Sequence, residues 1–132
     1  MKKLTKHMKK NEGFTLMEII IVIVILGILA LIAVPRLIGF TTQAEIAADK
    51  EYAAVVARAA ELYWAANEQP AAVGITDIDT SNGAGLVEDP GDVLQYYTNT
   101  PTIAMTDGVA TVTISNGSES VSYNSVDGYT TP

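Results

Sequence analysis

The chain contains no cysteine. Disulfides, zinc–thiolate centres and thiol nucleophiles are therefore excluded, and any folded part must hold by packing and hydrogen bonding. Histidine is nearly absent too, the single one being His7. A histidine-dependent catalytic triad in the rest of the chain is thereby excluded. No phosphate-binding glycine loop, dinucleotide fingerprint or histidine-based metal motif occurs. The expectation is a protein that is not an enzyme, with no catalytic residue, no cofactor and no resident metal. Basic residues are scarce after residue 13: only Arg36, Lys50 and Arg58, against fourteen acids, a formal charge of −11 for that part. Such a surface repels nucleic acid and anionic lipid, so no specific nucleic-acid binding is expected.

What is present is concentrated at the N-terminus. Residues 1–13 hold five lysines (Lys2, Lys3, Lys6, Lys9 and Lys10) against one acid, Glu12. Residues 14–34 then read FTLMEIIIVIVILGILALIAV, with Glu18 the one charge. A helix of that length covers roughly 30 Å, enough to cross a bilayer core. The basic leader outweighs Arg36 on the other side, which puts the N-terminus in the cytoplasm by the positive-inside rule. Two plainer readings compete. A secretory signal has an apolar stretch of roughly 7–15 residues and a small-x-small cleavage site, neither of which fits. An ordinary single-pass anchor fits the length but leaves Glu18 unexplained. A carboxylate at depth costs about 2.5–3.5 kcal/mol on insertion scales, so an acid there points to function.

Lys9-Lys10-Asn11-Glu12-Gly13-Phe14-Thr15-Leu16-Met17-Glu18, with the apolar run and then Pro35, resembles the class III signal of type IV prepilins. The shared features are a short basic leader, glycine before phenylalanine, an acid fifth from Phe14 and a proline twenty-second. The likeness covers about the first 40 residues. It implies cleavage between Gly13 and Phe14 by a membrane-embedded prepilin peptidase, and N-methylation of Phe14. Gly13, with no side chain, lets an extended backbone lie close in a protease cleft. The resemblance also implies that Glu18 faces the terminal amine of a neighbouring subunit. Such a pair neutralises two charges in an apolar core and fixes axial register. Pro35 cannot donate a backbone hydrogen bond, and Gly27 is a weak helix former. Related filaments partly melt between such positions, although Gly and Pro are also frequent in ordinary membrane helices.

The implied partners are further copies of the chain in a helical homopolymer, the prepilin peptidase, an inner-membrane platform protein, an assembly ATPase, and membrane lipid before assembly. The implied location is the cell membrane first and a surface filament afterwards. A pseudopilin of a type II secretion or competence (DNA-uptake) system shares the same features. An unprocessed, membrane-anchored binding domain is a further alternative.

Beyond Pro35 the helical pattern resumes. Ala44, Ala48, Tyr52, Val55, Val56, Ala59, Leu62, Tyr63 and Ala66 recur at spacings of three and four, predicting an amphipathic helix over residues 36–67. Lys50, Glu51, Arg58, Glu61 and Glu68 fall outside that stripe. With the membrane segment at 14–35 this makes one long helix, ended near Asn67 ahead of Pro70. Residues 68–92 read as loop. Residues 93–97, 102–106, 109–115 and 120–123 are rich in Val, Ile, Thr and Tyr, predicting an antiparallel meander of three or four strands within 93–132. Asp107-Gly108 and Asn116-Gly117 supply hairpin turns, and Thr130-Thr131-Pro132 is expected to fray. The fold class is α+β: a long N-terminal helix on a small sheet, in the pilin-like lollipop form. One run, Asp77-x-Asp79-x-Ser81-Asn82-Gly83 with Glu88, has calcium-loop spacing, against the alternative of a polar surface loop.

Overall fold

The structure is a computed structural model describing Gly13, residues 15–81 and residues 83–131. Residues 1–12 with His7, Phe14, Asn82 and Pro132 lie outside the described residues, and with them the far side of the expected cleavage point, the expected methylation position and one member of the calcium-like run. The first helix, α1, runs Leu16–Ala66, 51 residues. Thr15 opens it. Its hydroxyl receives the Glu18 N–H at 3.3 Å, and its carbonyl receives the N–H groups of Glu18 and Ile19. Thr15-x-x-Glu18 has the spacing of a capping box, in which a side chain satisfies one of the four amides a helix start leaves free. The helix closes over Asn67, Glu68 and Gln69. The Asn67 N–H bonds the Tyr63 carbonyl, and the Gln69 N–H reaches back to the Trp64 carbonyl at 3.0 Å. Glu68 and Gln69 take left-handed backbone angles, φ 59° and 60°, just ahead of Pro70.

The chain divides into two compact units, Met1–Ile38 and Gly39–Pro132. In the first, the described residues are the apolar part of α1, with Pro35 inside the helix. The second packs the rest of α1 on a four-stranded antiparallel sheet in the order β1-β2-β3-β4. The strands are β1 Thr102–Thr106, β2 Val109–Ser115, β3 Ser120–Asn124 and β4 Gly128–Thr130. Each pairs with the next in sequence, the topology of a meander. The β1–β2 turn is Asp107-Gly108, both at positive φ, as Asp-Gly hairpins require. At the next turn the Asn116 side-chain oxygen accepts the N–H groups of Ser118 and Glu119.

Two expectations about strands change. Residues 93–97 are not a strand. The short helix α3, Pro90–Val93, ends there and the chain continues without ladder pairing. Residues 128–130, by contrast, form the edge strand β4. The stretch expected as loop also holds the single-turn helix α2, Ile75–Ile78, and an isolated bridge between Asp79 and Val87.

The core lies where α1 meets the sheet. Ala53, Val56, Ala57 and Ala60 are fully buried against Ala110, Val112 and Ile114, with Val121, Ile75, Ile78, Val87, Leu94 and Tyr97 around them. The helix face that packs is thus rotated from the expected stripe. Val55 stays 43% exposed and Leu62 60%, while Ala53, Ala57 and Ala60 go inside. Small residues let the sheet approach the helix backbone closely. Tyr52, Val56 and Ala59 of the expected stripe do lie inside, so the packing face overlaps it and is turned toward Ala53, Ala57 and Ala60.

Candidate functional site

The N-terminal segment is a surface with no cover of its own. Every large apolar side chain of α1 from Leu16 through Phe40 is exposed within the chain. The helix holds a window long and apolar enough to cross a membrane, by length and composition. A continuous apolar surface of this extent needs lipid or protein around it. Gly13, Gly27 and Gly39 each have open space where a side chain would stand, so nothing inside the chain demands their smallness.

Glu18 stands in the first turn of α1 and is exposed. An acid there opposes the partial positive charge of a helix start. Thr15 holds the Glu18 backbone, which fixes where the side chain leaves the helix. Gly13, before the expected cleavage point, is exposed and in no regular element, as a protease substrate needs. Pro35 lies four residues short of Gly39, the first residue of the second unit.

The second unit is tied to its helix by carboxylates that the sequence pattern did not single out. Asp49 is fully buried, and its oxygens accept the backbone N–H groups of Gln95 (3.0 Å), Tyr96 (2.7 Å) and Tyr97 (2.8 Å). Three consecutive amides around one carboxylate make an anion nest. Three turns later Glu61 accepts the Ala110 N–H at 3.1 Å and the Ser125 hydroxyl at 2.6 Å. Expected to lie away from the sheet, Glu61 is one of its anchors. Two tyrosines add ties: Tyr52 donates to the Glu88 carbonyl at 2.5 Å, and Tyr129 to the Lys50 carbonyl at 2.9 Å. Burial, with Asp89, Asp79 and Glu88 nearby, pushes the Tyr52 phenol up to about 12. The one signal for Asp49 was its place in a helical row of core residues, three before Tyr52 and four before Ala53.

The calcium-like run resolves into a self-capped loop. Asp77 accepts the Gly74 N–H at 2.7 Å, and Asp79 accepts the Ser81 N–H at 3.1 Å. Asp89 accepts the Gly91 N–H and the Ser81 hydroxyl. Among the described residues no group of three histidine or acidic side chains is placed to hold a metal ion.

A capped, apolar N-terminal helix that continues onto a small antiparallel sheet defines a class, the pilin-like α+β subunits. The comparisons with known proteins agree. Residues 8–34 match the family described as the prokaryotic N-terminal methylation motif. The chain is 36% identical over 115 residues to PilA5, the major component of the type IV narrow pilus of Thermus thermophilus, covering 87% of this chain and 96% of that one. It is 52% identical over 40 residues to the type II secretion system core protein G of Vibrio cholerae, which is 30% of this chain and 27% of that protein. To the corresponding protein of Pseudomonas aeruginosa it is 40% identical over 55 residues, 42% of this chain and 39% of the other. No solved structure matches. The chain belongs to the type IV pilin family.

Proposed function

We propose that the chain is the structural subunit of a type IV pilus or a related filament. The precursor waits in the membrane as a single-pass protein with its lysine-rich leader in the cytoplasm. A prepilin peptidase cuts between Gly13 and Phe14 and methylates the new terminus. Further copies then pack through the helix of residues 14–35, with a platform protein and an assembly ATPase driving insertion. The observation that carries this reading is the likeness to a pilus major component along 96% of that protein's length. The uncovered apolar helix supports it, because lipid before assembly and neighbouring helices after it are what would cover that surface. Cleavage creates an amine at Phe14, and Glu18 of a neighbour is its partner. In an apolar core each charge alone would be costly.

A pseudopilin of a type II secretion system is the second reading. The higher identity to the core G proteins favours it, but that likeness runs over no more than 39% of their length in the Vibrio and Pseudomonas proteins. The intact mass of the protein in a sheared cell-surface fraction tests the first reading. The expected mass is that of residues 14–132 plus one methyl. A full-length mass found only in membranes of cells with active peptidase would overturn it.

A further inference from the structure

The sheet has two open edges. β1 reads TIAMT and β4 reads GYT, so neither strand carries a charge or an internal proline. Charge and proline are two of the devices that usually stop an edge strand from pairing with another chain; a third, brevity, applies to β4 with its three residues but not to β1 with five. Among the described residues, no hydrogen bond beyond the β1–β2 ladder reaches residues 102–106. None beyond the β3–β4 ladder reaches the backbone of residues 128–130. Their outward N–H and C=O groups are thus available.

The two edges fit each other. Every neighbouring pair in the sheet is antiparallel and there are four strands, so β4 runs opposite to β1. A second copy in the same orientation brings its β1 alongside β4 in antiparallel sense. The edges also match in apolar character. The register puts Ile103, Val112, Tyr123 and Tyr129 in one row on the helix-facing side. At the edges of that side Ile103 and Met105 are half-buried, and Tyr129 is 44% exposed. A joined edge would cover them. On the outer side, Thr102, Thr113, Ser122 and Thr130 form one row, which a joined copy continues.

We infer that β4 of one subunit pairs with β1 of the next, so that neighbouring heads share a continuous sheet. The inference rests on the filament reading above and adds a second, peripheral contact to it. Both partners are the same surface pair repeated head to tail, the arrangement an open helical polymer requires. A twofold β1–β1 pairing would close on itself after two copies.

The absence of cysteine makes the test clean. In Thr102→Cys/Thr130→Cys the two sulfurs of one copy stand three strand spacings apart, roughly 14 Å. A disulfide needs Cα atoms about 4.4–6.8 Å apart, so any bridge formed is between copies. Sheared filaments of this variant are oxidised and run without reductant. A ladder of dimers, trimers and higher species is expected, with no ladder from either single variant. Intact filaments that give no ladder, in this pair or in Ala104→Cys/Thr130→Cys, overturn the inference and leave the filament reading in place. Dimers from Thr102→Cys alone overturn it in favour of twofold pairing. Should the double variants not assemble, amide exchange on unmodified filaments decides. At least tenfold slower exchange within residues 102–106 than in detergent-extracted subunit supports the joint, and equal exchange refutes it. A protein that forms no filament in its native cells removes the filament reading and the inference with it.

Discussion

Asp49 and Tyr97 lie 48 residues apart in sequence, yet the Asp49 carboxylate accepts the Tyr97 backbone N–H at 2.8 Å. With Gln95 and Tyr96 donating to the same carboxylate, one buried side chain of α1 holds the segment leading into the sheet. Asp49→Ala leaves three amides without their acceptor, each costing about 1–3 kcal/mol where it stays buried. A loss of about 3 kcal/mol or more in unfolding stability of the detergent-solubilised chain is expected. Asp49→Asn keeps one acceptor oxygen and should lose less. A denaturation midpoint for Asp49→Ala equal to that of the unmodified chain would refute the latch.

Alkaline pH should loosen the same region. The folded chain holds the Tyr52 phenol at about 12, first through burial and then through Asp89, Asp79 and Glu88, whereas an unfolded tyrosine titrates near 10. The raised value means folding favours the protonated phenol. Its contribution is therefore complete below about pH 10 and is lost as pH rises toward about 12. Tyr97 and Tyr129 are shifted the same way, mainly by burial. In denaturant melts taken from about pH 8 to 12, Tyr52→Phe should show a shallower alkaline decline than the unmodified chain. An unchanged slope would assign the decline to other groups.

Gly83 is held by contact rather than by turn geometry. A Cβ there would lie 2.4 Å from the Asp77 carbonyl carbon and 2.6 Å from the Thr76 oxygen, both backbone atoms of α2. Gly83→Ala must push the loop away from α2, at about 1–3 kcal/mol by the usual cost of overpacking. Gly85→Ala is the control: it has open space but a φ of +69°, so its penalty is conformational alone. Equal stability of Gly83→Ala and the unmodified chain, read from thermal melts, would show that the loop is free to shift.

Glu18→Ala should leave cleavage at Gly13 intact while lowering the yield of sheared filaments at least tenfold. Glu18→Gln, which can still accept a hydrogen bond, should fall less. The expected size follows from stranding one charge of a buried pair, about 3–5 kcal/mol. Immunoblots of the membrane and sheared fractions separate processing from assembly. Normal filament abundance in Glu18→Ala would rule out the pairing with the terminal amine.

The long helix and three of the four strands were legible because local signals agree there. The apolar run, the alternation in residues 109–115 and the Asp107-Gly108 turn each name one structure. The misreadings share a cause. Residues 93–97 have strand-like Val and Tyr, but the backbone amides of residues 95–97 go to Asp49, a partner that no local pattern reveals. The short β4 was missed because three residues carry too little periodicity, and its last residue, Thr130, belongs to the stretch expected to fray. The packing face of α1 was read only in part, because spacings of three and four also admit Val55 and Leu62, and only the approach of the sheet selects Ala53, Ala57 and Ala60 instead.

The Asp49 latch also bears on how this surface can drift over generations. Its receiving groups are main-chain amides, which every residue except proline supplies. Gln95, exposed between buried Leu94 and half-buried Tyr96, therefore offers its side chain to the outside while its amide stays engaged. A substitution at position 95 other than proline can change the outward chemistry without loosening the attachment beneath it. The invariance expected of the pair falls on one side only, at Asp49.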